Sequence, residues 1–109
     1  MSWWISLVHP ETEDCAEVTA HSEGGTYALG GTPDATLNVT YNYGRHFDFW
    51  SLKGKTGGET IPILEQEVQR LGTERDADYW NSTPGNVGFT LRLLLRWAKD
   101  YPGYRWRVH

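Results

Sequence analysis

Two short clusters of aromatic, amide and basic residues have the chemistry of a small-ligand site. Residues 41–46 (YNYGRH) follow a predicted strand, and residues 76–86 (DADYWNSTPGN) precede a predicted helix. Rings stack on planar groups, and donors at a helix N-terminus favour anions. We therefore predict ligand contacts from Tyr41, Asn42, Tyr43, Arg45, Tyr79, Trp80, Thr83 and Asn86. The alternative for the second cluster is a helix-capping turn whose Trp80 fills the core.

A lysine-containing loop, residues 52–58 (LKGKTGG), lies between the two clusters. Its Gly54-Lys55-Thr56 triplet is similar to the end of a P-loop, but Phe49 stands where that motif requires its first glycine. The loop still offers backbone N–H groups and two ammonium groups before a predicted helix, which suits a phosphate. We predict contributions from Lys53, Lys55 and Thr56, with Trp50 as a further stacking ring. A plain surface turn is the alternative.

No set of residues in the sequence favours catalysis. The chain has no Gly-x-Ser-x-Gly motif, and its one cysteine, Cys15, falls in a strand pattern typical of a small buried side chain. The four histidines are scattered, and the paired carboxylates fall in segments that we expect to be exposed. We therefore predict no catalytic residues, no metal site and no cofactor, so that the protein is not an enzyme.

Length and charge limit the possible classes of protein. The chain has 109 residues and a formal net charge of −4, which fits one domain over residues 1–109 and argues against a general nucleic-acid binder. No apolar stretch approaches the ~20 residues of a membrane span. The N-terminal residues lack the pattern of a signal peptide, so we expect a cytoplasmic protein. Residues 1–44 contain six acidic residues and no lysine or arginine, whereas the last eighteen residues contain five basic residues and one acidic residue.

Periodicity predicts an α+β fold. The helical patterns begin at Glu59 or Thr60 and at Thr83-Pro84, and they end near Leu71 and Tyr101. Alternating patterns predict strands at 3–8, 15–21, 35–41 and 104–108, while 27–29 reads as a loop or short hairpin and 44–52 as a possible short helix. We expect an antiparallel sheet of about four strands with two main helices on one face, in the order β-β-β-α-α-β. Trp3 and Trp4 should then place one ring on each face of the first strand.

The same clusters, taken in order, resemble a family of small phage and prophage proteins. The resemblance rests on YNY at 41–43, LxGKT at 52–56, DYW at 78–80 and TxGN at 83–86, within residues 36–108. Small phage proteins of this kind often counter host defence in the cytoplasm of the infected bacterium. The resemblance implies one of two roles: a sponge that sequesters a nucleotide immune signal, or an inhibitor that blocks a host protein.

Two functional hypotheses follow. The first is non-catalytic sequestration of a cyclic or ADP-ribose-type nucleotide by the predicted contact residues. The second is a protein–protein inhibitor that presents exposed aromatic residues and an acidic N-terminal half to a host defence protein. A homo-oligomer fits both, because six Trp, six Tyr and three Phe exceed what the core of a small domain should hold. The sequence leaves open whether the two clusters meet in space.

Overall fold

The computed structural model of the protein describes residues 1–21 and 32–109, and it confirms the α+β class. Two helices, α1 and α2, span Gly57–Leu71 and Pro84–Asp100. The strands β1 to β5 span Ser2–Val8, Glu17–His21, Thr32–Asp34, Thr36–Thr40 and Arg105–Val108. The predicted segment at 27–29 lies outside the described residues. No helix in the described part of the chain combines the length and apolarity that a membrane crossing requires.

The strands form two sheets rather than one sheet of about four strands. The larger sheet is antiparallel with three strands in the order β4-β1-β5, and β2 pairs separately with β3. Strand β1 has β4 on one side and β5 on the other, and an isolated bridge joins Val8 to Cys15, which precedes β2. The predicted antiparallel sheet with two main helices is confirmed, with three of the described strands in the main sheet.

The core lies between one face of the three-stranded sheet and the two helices. Trp3 pairs with Val39, and Ile5 pairs with both Leu37 and Val108, so these buried residues share a face. The helices cover that face with one buried cluster that includes Leu64, Val87, Leu91, Leu94 and Trp97. On the opposite face Trp4 is exposed, as the adjacent tryptophans predicted.

Local signals fix the helix starts. Thr56 caps α1, accepting a hydrogen bond from the Glu59 amide, while the Glu59 carboxylate accepts one from the Thr56 amide. This capping box starts α1 at Gly57, two or three residues before the predicted start at Glu59 or Thr60. Helix α2 starts at Pro84 after the Thr83 cap, as predicted.

Residues 44–52, for which the sequence indicated a possible short helix, instead fall in two 3₁₀ turns and the link between them. The two turns span Tyr41–Arg45 and Phe49–Leu52. The first turn begins where β4 ends, so it carries the first predicted cluster away from the sheet.

Candidate functional site: a cleft between the two clusters

The two predicted clusters meet in the folded chain. The Tyr43 hydroxyl donates to the Tyr79 carbonyl oxygen over 2.5 Å, and the Ser82 hydroxyl donates to the Asn42 carbonyl oxygen over 2.7 Å. The His46 Nε2 donates to the Ser82 carbonyl oxygen over 2.9 Å. These hydrogen bonds hold residues 79–82 against the Tyr41–Arg45 turn, and we call residues 79–82 the wall segment.

A cleft of about 490 Å³ opens between the turn and the wall segment. This size lies in the range of small-molecule sites. Four predicted contact residues line the cleft, together with two residues that the sequence prediction missed: Tyr41, Asn42, Arg45 and Trp80, with Asn81 and Ser82. Asn81 and Ser82 lie inside the predicted 76–86 cluster, which was their sequence signal, although neither was chosen as a contact residue.

The Arg45 guanidinium and the Trp80 ring are available to a ligand. No described residue hydrogen-bonds or ion-pairs with Arg45, and its side chain is exposed. Trp80 is 56% exposed and makes no ring contact with another described residue. The Tyr41 ring is steadied by an edge contact with Trp3, with 4.7 Å between ring centroids. One cleft therefore presents a free cation and exposed aromatic surface.

Asn86 holds the wall segment from inside the protein. Its side-chain oxygen accepts from the Asp76 amide over 2.8 Å, and its Nδ2 donates to the carbonyl oxygens of Asn81 and Asp78 over 2.8 and 3.2 Å. The residue is buried, and its own amide bonds to the Thr83 hydroxyl, which caps α2. The side chains of Asn86 and Thr83, both predicted to contact ligand, thus bond within the protein.

Two glycines allow the chain before the wall segment to lie against α2. A Cβ atom built on Gly85 would lie 1.8 Å from the Glu74 carbonyl oxygen, and one on Gly88 would lie 1.7 Å from that of Gly72. No other residue type fits such backbone contacts without movement. The sequence prediction missed this role, although two glycines three residues apart at a helix start were its signal.

Tyr43 and Tyr79 stabilise the wall segment and do not line the cleft. Tyr43 is buried, and burial raises the pKa of its hydroxyl to about 12, although the nearby Arg75 opposes this shift. The Tyr79 ring faces the Arg75 guanidinium, 5.1 Å from the ring centroid. Arg75 also lies over Phe89, which anchors this corner of the structure to α2. Of these two predicted contact residues, neither lines the cleft.

The predicted phosphate-binding loop does not contribute to the lining of the cleft. Lys53 lies over the exposed Trp50 ring, 5.5 Å from its centroid, and the Lys55 ammonium donates to the Ser51 carbonyl oxygen over 2.5 Å. Thr56 caps α1. The structure therefore places Trp50, Lys53, Lys55 and Thr56 apart from the cleft-lining group.

The side chains that line the cleft can stack on a ligand, exchange hydrogen bonds with it and pair with a negative charge. Its lining contains rings, amides, a guanidinium and one hydroxyl, and that hydroxyl, on Ser82, donates to a backbone carbonyl. Within residues 1–21 and 32–109, no three His, Cys, Asp or Glu side chains come together as a metal site would require. No family model, curated protein or solved structure matches the chain. The resemblance to small phage proteins thus stays a prediction that rests on the sequence motifs.

Proposed function

We propose that this protein binds a small nucleotide-like ligand in the cleft and sequesters it without converting it. The observation that carries the proposal is the pairing in one cleft of an exposed ring, Trp80, with the Arg45 guanidinium, which bonds to no residue in the described part of the chain. A planar base stacks on the ring, and a phosphate pairs with the guanidinium. A stacked base contributes ~1–3 kcal/mol, and a hydrogen bond to a charged group contributes ~1.5–3 kcal/mol.

The resemblance to small phage proteins supports a biological role for this binding. A protein that removes a cyclic or ADP-ribose-type signal from solution silences the defence that depends on the signal. It acts stoichiometrically, so it needs no catalytic residue, cofactor or metal. The place of action is the cytoplasm of the infected bacterial host.

Release of retained nucleotide tests the proposal directly. The purified protein is mixed with cyclic and ADP-ribose-type nucleotides, freed of unbound material and denatured by heat, and the released compounds are identified by mass. We expect one intact nucleotide to be released. Trp80→Ala and Arg45→Ala should each abolish its retention. An altered product would instead identify an enzyme, and no retained nucleotide would contradict binding.

Two matched variants control for general loss of surface aromatic and cationic groups. Trp50 is 46% exposed and lies outside the cleft lining, and Lys53 is an exposed cation beside it. Trp50→Ala and Lys53→Ala should therefore retain nucleotide as the parent protein does. If these variants lose retention and the cleft variants keep it, the cleft is the wrong site.

A protein–protein inhibitor is the second candidate function. The observation that favours it is that large apolar side chains are exposed outside the cleft, among them Trp4, Trp50 and Ile63. Exposed tryptophans are typical anchors of protein interfaces. The same surfaces would serve a homo-oligomer, which we propose for either function. For an inhibitor, Trp50→Ala or Trp4→Ala should weaken binding to a co-purifying host protein, and added nucleotide should leave that binding unchanged.

A further inference from the structure

The charges around the cleft limit what kind of nucleotide it accepts. Among the described residues that line it, Arg45 is the single cation, and none is a carboxylate. A phosphodiester carries one negative charge, whereas the pyrophosphate of an ADP-ribose-type ligand carries two. One guanidinium can pair with one phosphate through parallel hydrogen bonds. A second phosphate would need another cation within reach.

Two nearby cations among the described residues, Arg70 and Arg75, are already engaged. Arg70 pairs with Glu67 and donates to the His46 carbonyl oxygen over 2.7 Å. Arg75 lies between the rings of Tyr79 and Phe89. Moving either group to a ligand would break these contacts, so neither supplies a second phosphate site without cost.

Two carboxylates lie in the chain just before the wall segment. The Asp78 carboxylate accepts from the Trp80 amide over 3.0 Å, and the Asp76 carboxylate lies 3.4 Å from the Asn81 amide nitrogen. Both aspartates are exposed, so their field reaches the solvent around the wall segment. A second phosphate on this side would meet negative charge, which disfavours it.

The backbone of the wall segment offers few acceptors. The carbonyl oxygens of Tyr79, Asn81 and Ser82 already accept hydrogen bonds from Tyr43, Asn86 and His46. The polar edge of a base must therefore be recognised by side-chain amides, and Asn42 and Asn81 are the two in the lining. An amide both donates and accepts, so it suits the mixed edge of a nucleobase.

Resting on the proposed function, we infer that the cleft selects a nucleotide with one phosphate in a diester, the chemistry of a 3′,5′-cyclic mononucleotide. It discriminates against ADP-ribose-type pyrophosphates and against uncharged nucleosides. Trp80 provides the stacking surface common to all three ligand classes. Arg45 distinguishes the cyclic nucleotide from the nucleoside. The described lining residues include no second cation, and this distinguishes the cyclic nucleotide from the pyrophosphate.

Calorimetric titration of two series of three ligands tests this selectivity. Adenosine, cyclic AMP and ADP-ribose are titrated at low ionic strength, and guanosine, cyclic GMP and GDP serve as a guanine series. In the series that binds, we expect the cyclic nucleotide to bind about 10-fold or more tightly than its nucleoside, as for loss of one charged hydrogen bond. We expect the pyrophosphate to bind no more tightly than the nucleoside.

Two variants assign the charge selectivity to Arg45. Arg45→Gln should reduce cyclic-nucleotide affinity to the level of the nucleoside and leave nucleoside affinity unchanged. Lys53→Gln, a cation outside the cleft, should behave as the parent protein. Raising the salt concentration should weaken the binding of the cyclic nucleotide and leave the binding of the nucleoside unchanged.

The outcomes separate this inference from the proposed function. If the pyrophosphate binds as tightly as the cyclic nucleotide, or more tightly, the single-phosphate inference is wrong and nucleotide binding stands. Equal affinity for nucleoside and cyclic nucleotide overturns the inference in the same way. If no compound in either series binds, the proposed function fails as well.

Discussion

The carbonyl oxygen of Gly72 lies directly against Gly88, where a Cβ atom would come within 1.7 Å of it. This contact brings the chain after α1 back onto the first turns of α2. Gly85 makes the equivalent approach to Glu74. The pair of close contacts sets how residues 72–74 lie against α2 before the chain forms the wall segment, so packing outside the cleft lining helps to determine the position of Trp80.

Gly88→Ala should lower the stability of the protein. The added methyl group meets a backbone carbonyl, which cannot rotate away, so the expected loss is about 2 kcal/mol in the free energy of unfolding. This loss exceeds the gain of up to ~1 kcal/mol that alanine normally brings to a helix. Urea denaturation measures the change. Gly103→Ala is the control, because open space surrounds that position. A stabilised Gly88→Ala variant would show that the two backbones do not pack as described.

Asn86 should prove essential for the wall segment. Asn86→Ala leaves the Asp76 amide and the carbonyls of Asp78 and Asn81 without their partner, at a cost of about 3 kcal/mol in the free energy of unfolding. Asn86→Asp keeps the acceptor and loses both donors, so it should also destabilise. Hydrogen exchange of the amides at 76–82 should accelerate in both variants. Unchanged protection there would contradict the anchoring role.

Tyr43→Phe should remove one tie between the turn and the wall segment. The lost hydrogen bond to the Tyr79 carbonyl should cost about 1 kcal/mol in the free energy of unfolding near neutral pH. Ligand retention should weaken as the wall loosens. A variant that retains ligand fully would show that this hydrogen bond does not position Trp80.

The same tyrosine predicts a dependence on alkaline pH. Burial raises the pKa of Tyr43 from its ordinary 10.0 to about 12, so the folded state holds the proton more strongly than the unfolded state. Its stabilising contribution is complete below pH 10 and is lost as the pH rises toward 12. Urea denaturation at pH 8 and pH 11 should show a steeper loss for the parent protein than for Tyr43→Phe. Equal losses would mean that the Tyr43 hydroxyl is not buried.

Thr56→Ala separates a structural from a ligand-binding role for the loop before α1. Because Thr56 caps the helix, the variant should lose about 1 kcal/mol in the free energy of unfolding and keep ligand retention.

Hydrogen bonds from the Thr56 backbone and side chain lower the pKa of Glu59 below its ordinary 4.5. The contribution of Glu59 is therefore complete above pH 4.5 and is lost as the pH falls through its lower folded pKa. Glu59→Gln should keep the cap but lose this acid dependence.

The elements with local signals were predictable from sequence. The Thr83-Pro84 pair gave the start of α2, and the alternation in β1 gave its buried and exposed tryptophans. The pairing of β2 with β3 was not predictable, because strand partners depend on tertiary contacts rather than on the strand's own pattern.

The site was predictable in part. Rings, amides and a guanidinium marked both clusters, and four of the chosen residues line the cleft. The sequence could not separate the exposed Trp80 from the buried Tyr43, because their exposure depends on hydrogen bonds between residues 36 positions apart. Asn86 was predicted to contact the ligand because an amide beside a helix start suits a phosphate and a backbone carbonyl equally well.

The bonds that fasten the wall segment to the Tyr41–Arg45 turn use mainly backbone carbonyls of the wall as acceptors. Every amino acid carries that carbonyl, so the attachment does not depend on which side chains positions 80 and 81 bear. Those two positions can change identity while the wall keeps its place. The side chains that contact the ligand are therefore distinct from the groups that hold the wall segment in place. A library of variants at positions 80 and 81 would sample new ligand preferences on an unchanged backbone.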